Sequence, residues 1–140
     1  CIGFMGYGSL AYGLLTGTFT EDHDFGSADW RARQGKMGAI KMFATLFGEE
    51  SFPNNVRAVN ELKVIADRYG KSLPQFALRW ATAHPAVSTS LVGCRNVDEL
   101  EDNAGAVGWT ISGADLAEVD AIFERHGVDT VPEYWIEEDD

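Results

Sequence analysis

Val87-Ser88-Thr89-Ser90-Leu91-Val92-Gly93-Cys94-Arg95-Asn96-Val97-Asp98-Glu99 reads as a strand, a turn and the opening of a helix in immediate succession. Val87 to Val92 has the β-branched, apolar character of a strand, and Gly93 breaks it. Asn96 and Glu99 have the spacing of a capping box, which predicts a helix over Val97 to Ala106. Strand, glycine turn and helix make one βα unit.

Working upstream, Ser72-Leu73-Pro74-Gln75 is a second capping box with proline in the first turn, and Phe76, Ala77, Trp80, Ala81 and Ala83 continue its helix. The residue before Pro85 disfavours helix, so this one should stop near His84. Before it, Val56, Val59, Leu62, Ala66 and Tyr69 recur at spacings of three and four, giving a helix from about Pro53 that Gly70 ends. Ile2-Gly3-Phe4-Met5-Gly6-Tyr7 is an apolar run closed by Gly8-Ser9 and is predicted to be a buried strand. Thr18 to Met37 has no period and reads as a long surface loop over a site, with a short helix within Lys36 to Phe47. Downstream, Ser112 opens a last helix over Ala114 to Arg125 with Leu116, Val119 and Phe123 on one face. Glu133 to Asp140 reads as an acidic surface tail.

Strands alternating with helices, without hairpin signals, imply parallel βα units. Two parallel strands make no stable sheet alone, and a whole (β/α)₈ barrel takes ~250 residues. With 140 residues the chain is one domain or less, and the rest of its sheet is expected from an upstream segment or another chain. Its start at Cys1 inside an apolar run fits a piece of a longer protein.

Composition narrows the function. With 11 Lys and Arg against 22 Asp and Glu, the net charge of −11 disfavours phosphate backbones and anionic lipid surfaces as general partners. Cys1 and Cys94 form neither a disulfide framework nor a metal-ligand spacing, which suits a reducing, cytoplasmic setting. Cys1 to Thr20 is uncharged, but its glycines and the lack of a basic flank argue against a membrane segment.

Gly6-Tyr7-Gly8-Ser9-Leu10-Ala11 formally matches a dinucleotide fingerprint, yet no second strand follows where a Rossmann unit needs one. The turn at Gly93 has the firmer physical basis, because a strand entering a helix N-terminus leaves backbone N–H groups and a positive dipole end for an anion. Arg95 could reach the same anion, or pair with Asp98 or Glu99. His23, His84 and His126 lie on a loop and two helix ends and read as surface residues, while Trp80 beside Phe76 reads as core. Ser9 lacks a nucleophile elbow.

Tyr7-Gly8-Ser9-Leu10-Ala11-Tyr12-Gly13-Leu14-Leu15-Thr16-Gly17, Asp29-Trp30-Arg31, Pro74-Gln75-Phe76-Ala77-Leu78-Arg79-Trp80, and Gly93-Cys94-Arg95-Asn96 through Asp102-Asn103 together resemble the aldo-keto reductase family. The resemblance is ordered and spans most of the chain. It implies an α/β fold, the C-terminal portion of a (β/α)₈ TIM barrel from strand 7 onward, with two parallel βα units plus a C-terminal helix in a single domain over 1–140. It also implies carbonyl reduction with NADPH, or NADH, at the C-terminal ends of the strands. By resemblance Tyr7 stacks on the nicotinamide, Gly8, Ser9 and Leu10 line the pyrophosphate path, Cys94 and Arg95 meet the 2′-phosphate, and Asp102 and Asn103 hold the adenine, with Gly93 and Glu99 also expected among the cofactor-binding residues.

Two departures stand out. The family's Ser-Pro after the stacking residue is Gly8-Ser9 here, and its Glu before the Asn is the shorter Asp102. The family's catalytic Asp, Tyr, Lys and His belong to the first half of the barrel, so no catalytic residue is assigned, and Tyr7, Tyr12 and Lys36 occupy other positions in the pattern. The chain alone is therefore expected to be inactive. The contrasting expectation is a non-catalytic or regulatory module that assembles through its open strand edges, with the remaining barrel segment or further copies of itself as partner.

Overall fold

The computed structural model describes residues 2–33 and 41–130. The elements are β1 (Phe4–Gly6), a 3₁₀ segment (Ala11–Thr16), a second (Trp30–Arg33), α1 (Lys41–Phe47), α2 (Ser51–Arg68), α3 (Leu73–Ala81), β2 (Val87–Ser90), α4 (Val97–Ala104) and α5 (Gly113–His126). Cys1, Lys36 and the acidic tail Glu133 to Asp140 lie outside the described residues. No helix among the described residues is long and apolar enough to cross a membrane.

β1 and β2 pair in parallel, with Phe4 opposite Val87, Met5 opposite Thr89 and Gly6 opposite Ser90. The Leu91 N–H extends the ladder to the Gly6 carbonyl at 2.8 Å. Both strands are shorter than their apolar runs. Neither is buried, which corrects the expectation for Ile2 to Tyr7. Phe4 is 59% and Met5 53% exposed, because burial of a parallel strand needs neighbours on both sides and the described sheet has two strands.

The core lies instead among the helices. α2 inserts Val56, Val59, Leu62, Ile65 and Ala66, α3 adds Leu73 and Phe76, and α5 contributes Val119 and Ile122. Phe76 and Ile65 are fully buried, and such side chains each contribute about 1.5–3 kcal/mol relative to exposure. Asn55, the buried polar residue of α2, donates from Nδ2 to the carbonyls of Thr45 and Leu46 at 2.8 and 3.1 Å. It thereby satisfies two of the carbonyls that the end of α1 leaves open.

α2 begins at Ser51, two residues ahead of the expected Pro53, and closes where Lys71 N–H returns to the Ala66 carbonyl and Gly70 N–H to that of Asp67. Gly70 takes φ +62°, the left-handed conformation this ending requires. The Ser72 box forms in both directions. α3 ends at Ala81, ahead of the expected His84, with the Thr82 hydroxyl folded back onto the Leu78 carbonyl at 2.9 Å.

Over its described part, 18–33, the stretch expected as a surface loop is irregular up to the 3₁₀ turn at Trp30 and mostly exposed, with 34–37 outside the described residues, but its Phe19, Phe25 and Trp30 also pack against the core, Phe25 in edge contact with Phe47 and Phe52. One further expectation is corrected. His126 is not an ordinary surface residue, since its Nε2 lies 2.7 Å from Glu61 Oε1 and ties the end of α5 to α2.

Candidate functional site

The C-terminal end of β1, the turn after β2 and the first turns of α4 border one cleft of about 940 Å³. Tyr7, Gly8, Ser9 and Leu10 form one side, and Gly93, Cys94, Arg95, Glu99, Asp102 and Asn103 the other. All the residues singled out from the sequence are thus brought together. Parallel pairing is the cause, because it sets both strand ends and their turns on the same edge of the sheet.

On the β1 side, Tyr7 presents its ring to solvent at 79% exposure. The Gly8 carbonyl accepts from Ala11 N–H at 2.7 Å, and Ser9 Oγ bridges toward the Gly6 and Leu91 carbonyls at 3.4 and 3.5 Å. The Ser9 hydroxyl thus lies between the two strand ends, within weak reach of either carbonyl. Ala11 and Tyr12 follow at φ +47° and +55°, a left-handed pair without glycine that costs roughly 1–3 kcal/mol per residue. Arg31 Nη1 donates to the Tyr12 carbonyl at 3.1 Å, and the Tyr12 ring meets Trp30 edge-on at 5.6 Å, so the loop over Trp30 and Arg31 holds this conformation in place.

On the α4 side, the Asn96 side chain accepts from Glu99 N–H at 2.9 Å. The reciprocal half of the expected box is missing. Glu99 turns its carboxylate to Arg95, taking the backbone N–H at 2.8 Å and the guanidinium at 2.6 and 2.9 Å. A charged donor outcompetes a neutral one for this carboxylate. The Arg95 hydrogen bond holds the Glu99 carboxyl below its usual range and raises the guanidinium in turn. Of the two sequence readings of Arg95, this structure realises the pairing with Glu99.

Asp102 faces the cleft but is held from behind by Ser72 Oγ and Gln75 Nε2, each at 2.9 Å. Asn103 Nδ2 lies 3.4 Å from Cys94 Sγ. α4 ends at Ala104, two residues before the expected Ala106.

Sequence reasoning left Trp30 and Arg31 without a role at the site, although both line the cleft. Arg31 is clamped by Asp29 at 2.6 Å and lies 5.3 and 5.0 Å from the ring centres of Phe19 and Phe25. The signal was an Arg beside a Trp and two Phe in an otherwise acidic stretch. No group of His, Cys, Asp and Glu among the described residues could hold a metal ion.

The family model "Aldo/keto reductase family" matches residues 2–124. The chain belongs to that family. It is 35% identical over 130 residues to the aldo-keto reductase YhdN of Bacillus subtilis, covering 91% of this chain and 36% of the relative. It is 27% identical over 113 residues to the aldo-keto reductase yakc [NADP(+)] of Schizosaccharomyces pombe, covering 81% and 30%. The solved structure of the glycerol dehydrogenase AKR11B4 from Gluconobacter oxydans superposes with a TM-score of 0.76 at 26% identity, covering 96% of this chain and 38% of that one. The chain spans about a third of the length of these relatives. Its two βα units and C-terminal helix are accordingly part of a (β/α)₈ barrel, the C-terminal part.

Proposed function

We propose that the cleft is the cofactor site of an NADPH-dependent carbonyl reductase. The observation that carries this reading is the convergence of an exposed aromatic ring, two strand-end turns and a guanidinium at a helix N-terminus on one cleft of about 940 Å³. That volume is at the upper end of ordinary ligand clefts and suits an extended dinucleotide. The printed name of the yakc relative includes NADP(+), in line with the choice of cofactor.

The donor set fits such a group. Tyr7 offers a ring face for a nicotinamide, the backbone at Gly8 to Leu10 borders the middle of the cleft, and Arg95 with Cys94 stands where a 2′-phosphate would lie. Asp102 and Asn103 face the adenine end. Of the carboxylates that line the cleft, Asp102 is turned toward Ser72 and Gln75, whereas Asp98 and a Glu99 released by Arg95 oppose an anionic ligand, which the Arg95 guanidinium and the α4 N-terminus must outweigh. Arg95 is 89% exposed at its side chain, so it can swing from Glu99 to a phosphate at little cost.

When bound, the reduced nicotinamide supplies the hydride for carbonyl reduction. This chain's residues orient that ring through Tyr7 and anchor the far phosphate through Arg95. Proton delivery to the carbonyl oxygen is assigned to none of them.

The exposed apolar side chains of Phe4 and Met5 on β1 and of Leu91 just after β2 favour a partner for the sheet, either the remaining segment of a barrel or a further copy. Titration with NADPH, followed by quenching of tryptophan emission, tests the cofactor reading. Saturable binding below about a millimolar that adenosine 2′,5′-bisphosphate reverses is expected, and no saturation would overturn it.

A further inference from the structure

α4 supplies one wall of the cleft, yet it buries none of its own residues. A helix docked with so little apolar burial depends on polar contacts for its position. Those contacts converge on one residue, Asp102, at its carboxylate and its carbonyl. Ser72 Oγ donates to Asp102 Oδ2 at 2.9 Å, and Gln75 Nε2 lies 2.9 Å from both Asp102 Oδ1 and the Asp102 carbonyl. The remaining side of the same glutamine is committed to α3, where Oε1 accepts from Ser72 N–H at 3.3 Å. The capping box of α3 is thus also the clamp on α4.

The sequence makes room for this clamp at Gly105. A β-carbon there would come within 2.3 Å of Gln75 Nε2 and 2.7 Å of its Cδ. The Gly105 carbonyl is itself held by Trp109 Nε1 at 3.0 Å, which fixes the chain just past α4.

We infer that Gln75 is a positioning residue for the adenosine end of the bound dinucleotide, acting through Asp102 to set where α4 presents Arg95, Glu99 and Asn103. This rests on reading the cleft as a dinucleotide site. Gln75 does not line the cleft itself, and the Tyr7 to Leu10 side belongs to a different element, so its effect falls on one end of the ligand only.

The test uses two variants of the whole protein and two nucleotides. Gln75→Glu keeps an acceptor for Ser72 N–H but sets a carboxylate against Asp102, and Gly105→Ala displaces the amide from the other side. Adenosine 2′,5′-bisphosphate should bind at least about tenfold more weakly to both variants, while reduced nicotinamide mononucleotide binds as before. Amide exchange over Val97 to Ala104 should quicken while α3 and α5 keep their protection, and adding Asp102→Asn to Gln75→Glu should recover part of it, by relieving the carboxylate pair while the Asp102 carbonyl stays without its donor. Unchanged exchange in α4, or equal loss of both nucleotides, overturns the positioning role. If the unaltered protein binds neither nucleotide, the dinucleotide reading itself is wrong and the role toward it falls with it.

Discussion

Arg95 and Glu99 hold each other by the backbone N–H of Arg95 at 2.8 Å and by its guanidinium at 2.6 and 2.9 Å. The pair sits at the mouth of α4, where the N-terminal dipole and the guanidinium would otherwise both serve an anion. On the proposed cofactor reading, Glu99 holds Arg95 where a 2′-phosphate would bind, and a cofactor that carries this group would have to displace it.

Substitutions at this pair should separate the two nicotinamide cofactors. Arg95→Ala removes a charge-assisted bond of about 1.5–3 kcal/mol, so NADPH binding should fall by roughly ten- to a hundredfold and NADH binding far less. Glu99→Gln should tighten NADPH a few-fold by freeing Arg95. Calorimetric titration of both cofactors checks this, and equal losses for the two would remove Arg95 from 2′-phosphate recognition.

The α2–α5 junction should make the fold acid-sensitive. Ser112 Oγ, the Tyr69 hydroxyl and Arg68 all donate to Asp115 and hold its carboxyl below the usual range. Glu118 is lowered by Arg68, and Glu61 by His126 and Arg125. A depressed folded pKa means that the unfolded chain binds more protons, so this stabilisation is complete above about pH 4–5 and fades as pH falls through the folded values. Melting temperature should therefore fall as pH drops below about 4, and a flat profile there would contradict the network.

Within that junction, the Tyr69 hydroxyl also accepts Ser112 N–H at 2.9 Å. Tyr69→Phe removes the hydroxyl's bond to the Asp115 carboxylate and leaves the exposed Ser112 N–H to water, which should cost about 1 kcal/mol in urea unfolding with an unchanged m-value.

Phe76 is 1% exposed and faces Tyr69 and Trp109 at 6.3 and 6.4 Å between ring centres. Phe76→Ala should cost about 3–5 kcal/mol, enough to unfold a marginal domain. A loss below about 1 kcal/mol would mean that the helical core lies elsewhere.

What the sequence made legible was local. The Ser72 box is complete in four residues and formed as read, with Gln75 accepting and donating as the motif requires. The Asn96 box has the same spacing but stands next to Arg95, whose charge captures Glu99, so only its Asn96 half formed. Phe19, Phe25 and Trp30 were visible as residues, yet their spacing has no period, and only the fold brings them to Phe47 and Phe52. The Gln75–Asp102 contact joins positions 27 apart on two helices and left no mark in either motif. The strand residues Phe4 and Met5 are exposed despite their apolar character, because apolar side chains declare what they could bury against and not whether it is there.

The open sheet gives a prediction of its own. Phe4 and Met5 on β1 and Leu91 after β2 are each about half exposed or more. The isolated chain should associate at micromolar concentration in light scattering, and Phe4→Lys should weaken that association. A well-folded monomer with a cooperative melt would contradict this.

The central claim is that the two sides of the cleft together hold one dinucleotide. Amide hydrogen exchange with and without saturating NADPH measures this most directly. Protection should rise at Gly8 to Leu10 and at Gly93 to Asn103 together, at the same NADPH concentration, and in Arg95→Ala it should return toward the unliganded level in both. Protection confined to one side, or none at millimolar NADPH, would show that the cleft is not the cofactor site.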